Sequence, residues 1–181
     1  MKSVRLHDKV FEQSLSHAEI VRQIKALAGK LNKRYGGGPP PLFLGVLNGA
    51  FMFVAELMKH IDFNCEVSFV KLASYGKGTA STGRVAELIG LNEDPAGRKV
   101  IVLEDVVETG NTLARIDRLL SERGAGEVCY ATLFFKPEAY AKEIPVDYHA
   151  LRMPNDFIVG FGLDYGGLGR NLKDIYTLVN D

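Results

Sequence analysis

The sequence predicts an α/β fold: a mainly parallel, twisted sheet flanked by helices. Two observations carry this. Residues 42–47 (LFLGVL), 100–103 (VIVL) and 127–136 (EVCYATLFFK) are short apolar runs of the kind found in strands buried on both faces. Between them lie segments with helical spacing, and strands that alternate with helices imply parallel pairing through right-handed crossovers. The 181 residues suit one compact domain spanning 1–181.

From the N-terminus, Ser16 followed three residues later by Glu19 reads as a capping box, opening a helix with Ile20, Ile24, Leu27 and Leu31 on one face. The glycines at 36–38 and prolines at 39–41 end it. After the strand at 42–47 come the tight loop Asn48-Gly49-Ala50 and a helix over 51–61. Residues 66–75 have strand composition and run into residues 76–83 (GKGTASTG), which read as a mobile loop. Residues 84–91 are the return strand and 92–98 a turn. The strand at 100–103 then leads through a loop to a helix over 112–125, with 113, 116, 119 and 120 apolar. Further strands are read at 127–136, 148–153, 157–163 and 175–179. In such sheets ligands sit beyond the carboxyl ends of the strands, so the loops after Leu47, Leu103 and Phe135 draw attention.

The totals exclude several function classes. Lys and Arg number 22 and Asp and Glu also 22, so no overall basic field recruits nucleic acid or an anionic membrane. No apolar stretch reaches the ~18 residues of a membrane span, and the first residues, MKSVRLHDKVFEQ, lack a signal-peptide core. Cys65 and Cys129 are sparse and set among apolar residues, as buried thiols in a reducing cytoplasm would be. A soluble cytoplasmic protein is expected.

The chemistry concentrates in residues 100–113, VIVLEDVVETGNTL. Gly110 can adopt backbone angles closed to other residues, Thr109 and Thr112 offer hydroxyls, and the helix that follows presents free N–H groups at its start. That combination seats a phosphate. It is not a Walker loop, because the G-x-x-x-x-G-K-[ST] spacing is absent. A helix start with acids enriched nearby is the plain alternative. Glu104 and Asp105, however, stand at the mouth of a buried strand, where paired charges are costly unless a cation or sugar hydroxyls meet them. Acids beside a phosphate cradle point to a ribose 5-phosphate.

The stretch resembles the phosphoribosyl pyrophosphate signature of type I phosphoribosyltransferases: a hydrophobic strand, two acids, two aliphatics and an acid-Thr-Gly-x-Thr loop. GVLNGAFMFVAEL, VKLASYG, LFFKP and DFIVGFGLDYGGLGRNL follow the order and approximate spacing of the hypoxanthine-guanine (6-oxopurine) branch, from residue 45 to residue 171. The resemblance implies the type I fold with a small hood, here made largely from the C-terminal strands. It also implies purine salvage: Mg²⁺-dependent transfer of 5-phosphoribosyl from phosphoribosyl pyrophosphate to N9 of hypoxanthine or guanine, giving IMP or GMP. A homodimer or homotetramer is implied as well.

Residue by residue, the resemblance implies that Thr109, Gly110, Asn111 and Thr112 hold the 5'-phosphate. Glu104 and Asp105 would hold the ribose hydroxyls and, with Asp164, the metal. Glu108 matches the acidic general base facing N7 of the purine, where many members carry Asp. Lys136 matches the lysine that donates to O6, a contact adenine cannot satisfy because its amino group is also a donor. Phe157 matches the aromatic that stacks on the base, with the Ile158 backbone at its edge. Arg170 matches the pyrophosphate-binding arginine, and Leu47, Asn48 and Gly49 the loop against that group. Asn48 stands where other members often have Lys or Arg, which leaves backbone N–H donation there. Ser74 and Tyr75 match the start of a lid that keeps water from the cationic centre.

Residues 160–166 (GFGLDYG) approximate a dinucleotide fingerprint, but only 15 residues follow Gly166, too few for the βαβ unit it must open. A non-catalytic, nucleotide-sensing regulator would want a basic face or a second domain. A xanthine-preferring transferase is the alternative among enzymes, since Lys136 reads O6 alone.

Overall fold

The computed structural model describes residues 2–72, 88–89 and 91–179. Among these residues the larger sheet has six strands in the order β5-β4-β3-β6-β7-β8. In chain order these are β3 (Leu42–Val46), β4 (Glu66–Leu72), β5 (Leu88–Ile89), β6 (Lys99–Val107), β7 (Glu127–Phe135) and β8 (Tyr148–Arg152). Strands β4, β3, β6, β7 and β8 run parallel, and the two-residue β5 pairs antiparallel with β4.

Alternation along the central strands explains why the sheet needs cover on both faces. Phe43, Ile101, Leu103 and Cys129 pack with helices α1 (His17–Tyr35) and α2 (Phe51–Met58), while Leu42, Leu44, Val100, Val102 and Tyr130 pack with α3 (Asn111–Glu122). The apolar faces of the helices are those read from the sequence: Ile20, Ile24, Leu27 and Leu31 on α1, and Leu113, Ile116, Leu119 and Leu120 on α3 are all buried.

The second sheet has four strands in the order β1-β2-β10-β9: β1 (Ser3–Leu6), β2 (Lys9–Leu15), β10 (Ile175–Leu178) and β9 (Ile158–Val159). All its pairings are antiparallel. This is the hood, and half of it corrects the expectation of a largely C-terminal subdomain, because an N-terminal hairpin supplies β1 and β2. The hairpin has a small core of its own, Leu6 and Phe11 packed with Val159 and Tyr176.

Three other expectations change. The strand read as 100–103 runs to Val107, so Glu104 and Asp105 lie within the ladder and not in a loop. Of the capping box, Ser16 Oγ accepts from the Glu19 N–H at 3.3 Å, but the Glu19 carboxylate turns to Arg22 and Gln23 instead of closing the box. The strand expected over 157–163 stops at Val159, because Gly160, Phe161 and Gly162 all take positive φ (102°, 45° and 102°) and turn the chain. Ser74, Tyr75 and the loop at 76–83 lie outside the described residues.

Candidate active site

Strand β6 is flanked by β3 on one side and β7 on the other, and α2 carries the chain from β3 away toward β4. The connections therefore diverge between β3 and β6, and the loops leaving their carboxyl ends face a common crevice. Those loops are 47–50 and 108–110, two of the three singled out by the sequence.

The second loop makes a cradle from one uninterrupted stretch: residues 106–113 line a single concave site. Gly110 sits at the N-cap of α3 with φ 77°, and no side chain caps the helix. With no acceptor there among the described residues, the first amides of α3 are open to an anion. The far wall comes from a segment the sequence reading passed over. A Cβ on Gly110 would lie 2.5 Å from Tyr140 Cε2 and 2.7 Å from Lys142 Cγ, so glycine is required for packing as well as for φ. Tyr140 is fixed there by its edge contact with the Phe135 ring, 5.4 Å between centroids at 73°, and by an O–H bond to the Ile144 carbonyl. Only the turn residues around Pro137 hinted at this wall.

Glu104 and Asp105 are both buried. As neighbours on a strand they point to opposite faces. Asp105 faces the 47–50 loop: a Cβ on Gly49 would fall 1.5 Å from Asp105 Oδ2, so only glycine lets the loop lie against this carboxylate. Its Oδ1 accepts from the Val106 N–H at 2.8 Å. Burial raises the Asp105 pKa to about 6, and the nearby Asp164 carboxylate adds to this, while backbone N–H bonds and the Arg170 guanidinium pull the other way. Glu104 turns to the α3 side, toward Val102, Leu113, Tyr130 and Thr132, and its Oε2 has no hydrogen-bond partner among the described residues. Burial first, and then Asp105, push its pKa well above the usual carboxylate range.

At the end of β7, Lys136 is only 3% exposed. Its Nζ donates to the Asp156 carbonyl at 2.8 Å and pairs with the Glu108 carboxylate, which is itself half-exposed. A buried ammonium thus sits at the crevice floor with a carboxylate beside it. Phe157 is 46% exposed, yet its ring is braced from behind by Phe11 (6.2 Å) and Tyr165 (5.8 Å). Ile158 is buried in β9.

Asp164 and Arg170 form a pair of their own, Nη2 to Oδ1 at 2.6 Å. Asp164 Oδ2 also accepts from the Gly167 N–H at 2.7 Å, and Arg170 Nη1 donates to the Gly162 carbonyl at 2.7 Å. This loop meets the first one directly, because a Cβ on Gly162 would lie 2.1 Å from the Gly49 carbonyl oxygen. The peptide between Leu47 and Asn48 is cis, and the Asn48 side chain is exposed. The structure therefore gathers Leu47–Gly49, Asp105, Asp164 and Arg170 at one end of the crevice, and Glu108, Lys136 and Phe157 at another. Glu104 faces neither.

The three carboxylates predicted for a metal do not make a cage: no cluster of three or more acidic, His or Cys residues among the described residues could hold an ion. Mg²⁺ is commonly bound by one or two carboxylates together with the substrate's own phosphate oxygens, and Asp105 and Asp164 fit that pattern.

The chain is similar to known proteins along most of its length. The family model for the phosphoribosyl transferase domain matches residues 11–166. The hypoxanthine-guanine phosphoribosyltransferase of Streptococcus mutans is 43% identical over 166 residues, 92% of this chain and 92% of that protein. That of Lactococcus lactis is 43% identical over 172 residues, 94% of this chain and 93% of that protein. The crystal structure of a hypoxanthine phosphoribosyltransferase from Staphylococcus aureus superposes with a TM-score of 0.83 at 37% identity, covering 93% of this chain and 91% of that one. Fold, cradle and similarity agree, and the chain belongs to the type I phosphoribosyltransferase family.

Proposed function

We propose that this chain is a purine-salvage enzyme that transfers the 5-phosphoribosyl group from phosphoribosyl pyrophosphate to N9 of hypoxanthine or guanine. The observation that carries the base assignment is the adjacent Lys136–Glu108 pair at the crevice floor. On a 6-oxopurine, O6 is an acceptor and the neighbouring N7–H is a donor. A buried ammonium beside a carboxylate is the complementary arrangement, and adenine, with an amino group at C6, would leave Lys136 facing a donor.

The sugar-phosphate roles follow the geometry. The 106–113 cradle takes the 5'-phosphate on the free amides of α3 and the hydroxyls of Thr109 and Thr112. Phe157 supplies an apolar face for the base, with Ile158 behind its edge. Arg170, freed from Asp164, offers a bidentate contact to the leaving pyrophosphate, and the backbone of Leu47, Asn48 and Gly49 lies against the same group. As the C1'–O bond breaks, the sugar carbon gains positive charge that Asp105 stabilises, N9 attacks, and Glu108 removes the proton from N7. Glu104, on the opposite face of β6 among Val102, Leu113 and Tyr130, takes no direct part in holding the ribose, which leaves that role to Asp105. Mg²⁺ arriving on the pyrophosphate, with Asp105 and Asp164 as its protein carboxylates, would neutralise the charge of the leaving group.

Ser74 and Tyr75 complete the proposal as the start of the lid over the site. Assembly as a homodimer or homotetramer is supported by Val67 and Phe69, whose apolar side chains are exposed on one side of β4. The two free thiols, Cys65 and Cys129, and the balanced charge support a cytoplasmic setting. No helix among the described residues is long and apolar enough to cross a membrane. The test is a spectrophotometric assay of hypoxanthine, guanine, xanthine and adenine with phosphoribosyl pyrophosphate and Mg²⁺. Turnover of hypoxanthine or guanine with none of adenine is expected, and no turnover of any 6-oxopurine would refute the proposal.

A further inference from the structure

The loop that carries Asp164 and ends at Arg170 is exposed over residues 166–168 and contains three glycines with positive φ: Gly166, Gly167 and Gly169. Such a loop has little intrinsic reason to hold one shape. It is nevertheless tied down from outside, by the turn that joins β1 to β2, a part of the chain that precedes every motif behind the family resemblance.

Four contacts make the tie. The Tyr165 hydroxyl donates to Asp8 Oδ1 at 2.9 Å. His7 Nε2 lies 3.1 Å from the Gly166 carbonyl oxygen, which can only accept, so this nitrogen carries the proton. The His7 ring also meets the Tyr165 ring edge to face at 5.7 Å and 72°. Below them Leu6 closes the space over Gly169, where a Cβ would come within 2.9 Å of Leu6 Cδ1. His7 adopts φ 51° to reach this position. A non-glycine residue is uncommon in that region. The consequence runs directly into the site, since Asp164 Oδ2 is bonded to the Gly167 N–H and Asp164 Oδ1 to Arg170.

We infer that the His7–Asp8 turn is a positioning element for the pyrophosphate end of the active site: by gripping Tyr165 and Gly166 it sets the loop that presents Asp164 and Arg170. Neither residue touches a substrate. The inference rests on the roles proposed above for Asp164 and Arg170, and it predicts an effect confined to the phosphoribosyl donor. Hydrogen bonds at an exposed site are individually weak, so the expected changes are moderate.

Two substitutions in the full-length chain test it, Asp8→Ala and Tyr165→Phe, each removing the same bond from a different side. Hydrogen exchange in the substrate-free protein should accelerate about 5- to 10-fold at the Gly167 and Leu168 amides, with the β6 amides unchanged, as expected for loss of one hydrogen bond. The KM for phosphoribosyl pyrophosphate should rise about 5-fold while the KM for hypoxanthine stays within about 2-fold. In an Arg170→Ala background, Asp8→Ala should add nothing further, because coupled residues are non-additive. Unchanged exchange, an equal rise in both KM values, or full additivity with Arg170→Ala would each overturn the inference. Because exchange is read without substrate, an unaltered chain that turned over no purine would defeat the proposed function while exchange still decided whether the turn holds the loop.

Discussion

Helices α1 and α3 start in opposite ways. The amides of α1 are served by the protein: Ser16 Oγ accepts from Glu19, and the buried Asp174 carboxylate accepts from His17 N–H at 2.7 Å. The start of α3 has a left-handed glycine, no side-chain cap and a concave site in front of it. Both termini carry the same partial positive charge. One has a built-in anion and the other is left to receive one. An uncapped helix start therefore marks a site here only because a capped one in the same molecule shows what the fold does where no ligand is intended.

The contrast can be broken first at α1. Asp174→Ala removes the fixed anion and leaves a half-buried amide without an acceptor, and should lower unfolding free energy by about 3 kcal/mol in urea titrations. The KM for phosphoribosyl pyrophosphate in the folded variant should stay within about 2-fold. A large rise in that KM would show that the two helix starts are not separate in function.

At α3 the local carboxylate belongs to chemistry. Glu108→Gln should reduce kcat about 10²-fold, in line with general-base contributions. A near-normal kcat, with chemistry shown to be rate-limiting by single-turnover measurement, would reduce Glu108 to a partner of Lys136. This variant also bears on the glutamate that stands here in place of the commoner aspartate, whose longer side chain reaches Lys136.

The smallest expected effect concerns the buried acid under the cradle. Glu104→Gln replaces a carboxyl whose Oε2 has no partner among the described residues and should raise unfolding free energy by about 1 kcal/mol at pH 7. The pH dependence has a definite sign. Burial lifts Glu104 and Asp105 above their unfolded values near ~4, so the folded chain holds protons that the unfolded chain releases. Their contribution favours folding fully below about pH 4. For Asp105 it is lost as pH rises through about 6. The advantage of Glu104→Gln should accordingly shrink as pH is lowered toward 4, and an advantage independent of pH would show that the gain is not electrostatic.

The larger sheet was legible because its strands are continuous apolar runs, and the cradle because it is one stretch of chain, 106–113. The N-terminal hairpin was not. Its burial alternates weakly, with only Leu6 and Phe11 fully inside, so residues 3–15 look like a polar leader before a helix. The opposed directions of Glu104 and Asp105 were hidden by reading them as loop; their place in the ladder fixes the alternation. The Lys136–Glu108 pair follows from topology, since β6 and β7 are neighbours and both residues stand just past their ends. Contacts such as His17 with Asp174, 157 positions apart, leave no local pattern at all.

That last contact bears on the order in which the molecule can be completed. Strand β2 pairs with β10, Phe11 opposite Leu178, and α1 takes its carboxylate from Asp174. On a ribosome the hairpin and the first helix are made early, but their partners emerge only after the five parallel strands. Through most of synthesis Phe11 and the start of α1 are without them. Closing the hood is a long-range event of the kind that slows folding and leaves apolar surface open meanwhile. The site residues braced by the hairpin, Phe157 directly and Asp164 and Arg170 through their loop, are thus set only when residues 3–15 and 157–178 have met.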